Sequence, residues 1–137
     1  MNQKKQVLIL CTGNSCRSIM AEALINSKLA SCINAQSSGV KASGVVNPNA
    51  QKLLQDKGYW RDDYHSKVID SVIDTAFDLV VTVCDNAKET CPMFPNAIKT
   101  LHVSFDDPSG KEVIEYSHTL NLIEETLLPI VEKELCD

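Results

Sequence analysis

The chain of 137 residues contains no apolar run near the roughly 20 residues of a membrane span, so no spanning helix is expected. No secretory start is expected either. Lys4-Lys5 precede only the short apolar core Val7-Leu8-Ile9-Leu10, and cleavage there would destroy the loop that follows. Positive charge is not in excess: Lys and Arg number 13 against 18 Asp and Glu, a formal net charge of −5. That balance argues against nucleic acid or an anionic membrane as partner. No CxxC pair is present, and His65, His102 and His118 stand apart, so no metal site is expected. Repeats, linkers and low-complexity segments are absent, and five glycines with 23% charged residues exclude collagen-like and disordered classes. What remains is one catalytic-sized domain over residues 1–137, long enough to bury about two-thirds of its unfolded surface. A cytoplasmic monomer is expected.

The pattern along the chain alternates strands and helices. Gln6 to Leu10 is a continuous apolar run, as a strand buried on both faces should be. Ser18 to Ala30 reads as a helix with Ile19, Met20, Ala23, Leu24 and Ser27 on one face. Ile33 to Ser38 is a short strand ending at Gly39. Asn47 and Pro48 open a second helix as N-cap and first helical residue, and Gly58 ends it. Ser66 to Asp74 reads as a short helix or turn. Asp78 to Val83 and Ile98 to Phe105 are further strands. From Lys111, the recurrence of Tyr116, Leu120, Ile123, Leu127 and Ile130 marks a long last helix, which Pro129 should bend or end. The fold expected is α/β: a doubly wound, four-stranded parallel sheet in the order 2-1-3-4 with helices on both faces. In that order Cys11, Cys84 and the pair Asp106-Asp107 all follow strand ends on one edge, where such sheets bind ligands.

The segment Cys11-Thr12-Gly13-Asn14-Ser15-Cys16-Arg17-Ser18 carries the most chemistry. It joins the first strand to the first helix, so its backbone N–H groups and the helix N-terminus suit a tetrahedral oxyanion. An ordinary cysteine is only about 3% thiolate at neutral pH, but beside an arginine at a helix N-terminus the thiolate becomes the major form. Arg17 can fork two oxygens of the anion, and Ser18 can donate to the thiolate. Gly13 allows a positive φ and close backbone approach, and Asn14 tolerates the same region while its side chain braces the loop. Asp107, held extended by Pro108, can act as a general acid to the departing oxygen, with Asp106 as a solvated neighbour.

Six cysteines without a secretory signal read as reduced thiols rather than a disulfide framework. Cys84 ends a buried strand, and Cys91 follows seven residues later. If the residues between them are helical, their Cα atoms are about 10 Å apart along the axis. A disulfide needs roughly 4.4–6.8 Å, so joining them requires that segment to unwind. Cys16 reads as a loop-packing residue or an oxidation partner of Cys11, and Cys32 and Cys136 as bystanders.

Residues 11–22, Cys-Thr-Gly-Asn-Ser-Cys-Arg-Ser-Ile-Met-Ala-Glu, resemble the low-molecular-weight protein tyrosine phosphatase superfamily. More narrowly the chain resembles the thioredoxin-coupled arsenate reductases built on that fold. The narrower resemblance rests on Asp78-Leu-Val-Val-Thr-Val-Cys84, Cys91-Pro92, Phe105-Asp-Asp-Pro-Ser-Gly110 and Ser15. It implies a relay of three thiols. Cys11 attacks arsenate held by Arg17 and the loop amides of residues 12–18, and Asp107 protonates the leaving oxygen. Cys84 then attacks Cys11 and arsenite leaves; Cys91 attacks Cys84, and thioredoxin reduces the Cys84–Cys91 disulfide. No tightly bound cofactor is implied. Some members hold a structural potassium ion through residues matching Asn14, Glu22 and Ser37 and a further carboxylate, in whose place this chain has Val68. His-Val-Ser before Phe105 also departs from the common pattern. The competing expectation is a phosphatase hydrolysing phosphomonoesters through a phosphocysteine at Cys11, although no tyrosine pair follows Asp107-Pro108. A third is a redox-sensing or oxyanion-binding module without turnover.

Overall fold

A computed structural model describes residues 4–72, 75–83, 99–106, 108 and 110–136. Strand β1, Lys5–Cys11, lies at the centre of the sheet. Successive strand residues face opposite sides, and Val7, Leu8, Ile9 and Leu10 are each 0% exposed, so both faces are covered at β1. Its neighbours are β2, Ile33–Gly39, and β3, Leu79–Thr82; β4, Thr100–His102, lies outside β3. The order is β2-β1-β3-β4 and every pairing is parallel, as the alternation of strands and helices predicts. Register aligns Cys11 with Gly39 and Leu10 with Thr82. The ends of the three longest strands therefore meet on one edge.

Helix α1, Arg17–Lys28, packs against β1 and β2 and against the last helix. A one-sided helix was expected. Instead every residue from Ser18 to Asn26 is buried, and Ser27, assigned to the inner face, is exposed. The burial of polar Asn26 is explained by its partners. Its side chain accepts from the Ala35 amide (2.8 Å) and donates to the Ala35 carbonyl (3.0 Å), finishing the outer edge of β2. Helix α2, Pro48–Lys57, begins as its caps predict: the Asn47 side chain accepts from the amides of Asn49 and Ala50, and Gly58 closes it at φ 79°. The turn after Ser66 narrows to one 3₁₀ turn, Ile69–Ser71.

Helix α3, Val113–Leu135, neither ends nor restarts at Pro129. Pro129 and Glu125, whose carbonyl loses its partner there, are both exposed, so water can take the missing hydrogen bond. Leu127, Leu128 and Val131 hold the flanking turns in the core, Val131 taking the buried place expected for Ile130. Cys32 and Cys136, expected as bystanders with reduced thiols, are joined in a disulfide with Cα atoms 5.8 Å apart. Local spacing gave no sign of this pair, because 104 residues separate them. Among the described residues, no helix is long and apolar enough to cross a membrane.

Candidate active site

Among the described residues, Cys11 to Arg17 line a cavity of about 190 Å³ at the end of β1. Its shape is imposed from outside. The carbonyls of Cys11, Thr12, Gly13 and Ser15 accept from the amides of Val40 (3.1 Å), Lys41 (2.9 Å), Ser43 (2.9 Å) and Asn47 (2.8 Å). The Ser66 hydroxyl adds a second bond to the Gly13 carbonyl at 3.1 Å. In a trans peptide the carbonyl and the following N–H point opposite ways. Holding these carbonyls outward on the 40–47 segment therefore turns the N–H groups of residues 12, 13, 14 and 16 toward the opposite side. The N-cap residue Cys16 makes no side-chain capping bond to α1, and no acidic residue of the helix stands in its first turn, so the helix dipole adds to the positive potential there.

Asn14 is the keystone of the loop. Among the described residues it is the non-glycine residue with positive φ (49°), a region expected to be open to both Gly13 and Asn14. Asparagine tolerates it because its side chain is fully bonded. Asn14 Nδ2 donates to the hydroxyls of Ser18 (2.7 Å) and Ser37 (2.9 Å), and Oδ1 accepts from the Lys67 amide (2.8 Å). Since Ser18 Oγ accepts from Asn14, its own proton remains to be donated elsewhere. Gly39 lies against the same residue. A Cβ built on Gly39 would stand 2.5 Å from the Thr12 carbonyl oxygen and 3.0 Å from the Asn14 amide nitrogen. From sequence, Gly39 reads only as a strand end and residues 40–44 carry no assignment. The string Ser37-Ser38-Gly39, small residues ending a strand beside the loop, was the available signal.

Arg17 is aimed by a contact from the far side of the sheet: its Nη1 donates to the Phe105 carbonyl at 3.0 Å. Phe105 in turn donates to the Val83 carbonyl (3.0 Å), and the Val83 amide donates to the Leu10 carbonyl (2.9 Å). The chain thus reaches the edge beside Cys11 at Val83 and at Phe105. Cys11 and Cys16 are buried and not in disulfides. Cys84, Cys91 and Asp107, which follow these points in sequence, lie outside the described residues. Asp106 is exposed, as a solvated neighbour should be.

Behind the loop, Ser37 donates to Glu22 Oε1 at 2.6 Å. Burial pushes the Glu22 carboxyl from its ordinary 4.5 up to about 7, against the opposing pull of Lys67 and the Ser37 hydroxyl. Glu22 borders a cleft of about 470 Å³ whose wall also carries Arg61, Asp63, His65 and Lys67 but none of the cysteines described. Asn14, Glu22 and Ser37 do converge. Asn14 turns its NH₂ group, not its oxygen, toward Ser37, and Val68 is half-exposed and brings no carboxylate. These residues do not fit a potassium ion. Among the described residues, no group of three or more His, Cys, Asp or Glu can hold a metal ion.

The Glu22 carboxyl binds its proton more tightly folded than unfolded. Its contribution to stability is then complete below about pH 4.5 and lost as the pH rises to about 7. Glu22→Gln is expected to remove that slope, worth on the order of 3 kcal/mol across the window. Urea midpoints at pH 5 and pH 8 test this: the wild type should lose stability between them and the variant little. Parallel losses in the two proteins would rule the carboxyl out as the titrating group.

Residues 6–135 match the model of the family described as low molecular weight phosphotyrosine protein phosphatase. An arsenate reductase of Brevibacillus brevis is 46% identical over 116 residues, 85% of this chain and 86% of that protein. Among solved structures, an arsenate reductase from Archaeoglobus fulgidus superposes with a TM-score of 0.77 at 33% identity, covering 91% of this chain and 98% of the other. A low molecular weight protein tyrosine phosphatase from T. tengcongensis gives a TM-score of 0.80 at 25% identity, covering 95% and 99%.

Proposed function

This chain belongs to the low molecular weight phosphotyrosine protein phosphatase family, and from that premise we propose that it is an arsenate reductase working through three thiols with thioredoxin as reductant. Resemblance to proteins named arsenate reductase supports the substrate. The structural observation that carries the reading is the bond from the Val83 amide to the Leu10 carbonyl. It brings the residue just before Cys84 beside the strand that ends in Cys11.

Arsenate enters the loop cavity, where the inward N–H groups and Arg17 take up its negative charge. The Cys11 thiolate attacks arsenic(V), forming a sulfur–arsenic bond, and Asp107 protonates the oxygen that leaves as water. The Cys84 thiolate then attacks the sulfur of Cys11. The sulfur–arsenic bond breaks, its electron pair stays on arsenic, and arsenite departs as arsenic(III) with a Cys11–Cys84 disulfide behind. Cys91 attacks Cys84 and frees Cys11, and a dithiol of thioredoxin reduces the Cys84–Cys91 disulfide. The chain acts as a single cytoplasmic catalytic domain and as a monomer. Hydrolysis of phosphomonoesters is the second reading, favoured by the fold shared with a phosphatase and by the same first step.

Arsenate-dependent consumption of NADPH in the presence of thioredoxin and its reductase tests the proposal. Turnover that needs arsenate and all three proteins is expected. Brisk hydrolysis of an aryl phosphate with no arsenate-dependent consumption would replace the reductase by the phosphatase.

A further inference from the structure

Two of the four cysteines described take no part in the loop cavity, and they are bonded to each other. Cys32 is fixed in the turn between α1 and β2. Its amide donates to the Leu29 carbonyl (3.1 Å), and its carbonyl accepts from Lys5 at the start of β1 (2.9 Å). Cys136 caps the end of α3, its amide donating to the Glu132 carbonyl at 2.8 Å. Both are half-buried against the core, so each sulfur is held in place yet open to a small reagent. The folded chain itself therefore brings these two positions to 5.8 Å between Cα atoms, within the range a disulfide spans.

Their position separates them from the catalytic edge. Lys5 pairs with Ile33 at one end of the β1–β2 ladder and Cys11 with Gly39 at the other. Six residue steps of strand separate the two ends, roughly 20 Å at 3.3 Å per residue. Cys11 cannot exchange with a sulfur at that distance, and Cys16 sits in the loop beside Cys11.

We infer that Cys32 and Cys136 are a second oxidation site, apart from the anion loop, which a low-molecular-weight disulfide closes and which then fastens the end of α3 to the foot of β2. One of the two thiolates attacks a sulfur of the reagent and expels one thiol. The other protein thiolate attacks the mixed disulfide and expels the second thiol. Two protein thiols and one small disulfide become one protein disulfide and two small thiols. The crosslink closes a very long loop of chain, so it removes much of the unfolded state's freedom. The site stands on its own geometry. Only its contrast with the relay thiols rests on the proposed function.

The full-length protein, reduced and then exposed to glutathione disulfide, is alkylated with iodoacetamide, digested and analysed by mass spectrometry. The peptides of Cys32 and Cys136 are expected as one linked species. The melting temperature of the oxidised wild type should exceed that of the reduced wild type, and that of oxidised Cys32→Ser, by about 5–10 °C. Cys136→Ser should match Cys32→Ser, and arsenate turnover should persist in both. Alkylation of both cysteines after oxidation, or glutathione separately attached to each, would overturn the inference. So would equal melting temperatures of oxidised wild type and Cys32→Ser. Loss of arsenate turnover in the wild type would bear on the relay alone.

Discussion

Cys84→Ser is expected to lower thioredoxin-coupled arsenate turnover by about 10³-fold or more, while aryl phosphate hydrolysis changes little. In the proposed mechanism the two reactions share the attack by Cys11 and part afterwards. Hydrolysis needs only water at the Cys11 adduct, whereas reduction needs a second sulfur to take Cys11 away from arsenic. A serine hydroxyl is almost wholly protonated at neutral pH and forms no disulfide, so the variant should stop after the first step. Coupled NADPH oxidation and aryl phosphate release, measured on the same preparation, separate the outcomes. Undiminished arsenate turnover in Cys84→Ser would remove Cys84 from the mechanism, and equal loss of both activities would mean that the substitution had damaged the shared site.

Gly39→Ala is the second large effect. The added methyl would stand 2.5 Å from the Thr12 carbonyl oxygen, a backbone atom that cannot swing aside, and 3.0 Å from both the Cβ and the amide nitrogen of Asn14. Either β2 or the anion loop must move. Overpacking of this kind costs about 1–3 kcal/mol. The catalytic cost is larger, because a shift near 1 Å in a positioned site lowers the rate by about 10²-fold. Arsenate turnover and aryl phosphate hydrolysis should fall together here, unlike in Cys84→Ser, with a smaller urea midpoint. Wild-type kcat/KM for both substrates would show that the close approach of β2 is not what shapes the loop.

The elements that were legible in the sequence are those fixed by near neighbours. The apolar run before Cys11, the Asn47 and Pro48 caps and Gly58 each act over a few residues, and their local chemistry has one outcome. The sheet order followed from strand–helix alternation and the handedness of crossovers. The anion loop was legible as a composition, but its conformation was not. Composition leaves the left-handed region open to both Gly13 and Asn14, and Asn14 takes it because Ser18, Ser37 and Lys67 together hold its side chain, two of those partners coming from distant strands and turns. Ser27 was misplaced for a related reason. Helix α1 is enclosed by β1, β2 and α3, so it has no wet face along most of its length for a periodicity to reveal. The Cys32–Cys136 bond depends on where α3 ends relative to β2, and no local pattern encodes that.

The bond from Arg17 to the Phe105 carbonyl spans 88 residues of chain, and the loop's own carbonyls wait on residues 40–47 and 66. During synthesis Arg17, like Cys11 just before it, thus emerges long before the carbonyl that aims it. At the usual pace of translation the interval is roughly 4 to 18 seconds. Through that time Cys11 lacks its finished setting. The cavity proposed to hold an oxyanion is therefore complete only once the molecule is nearly whole.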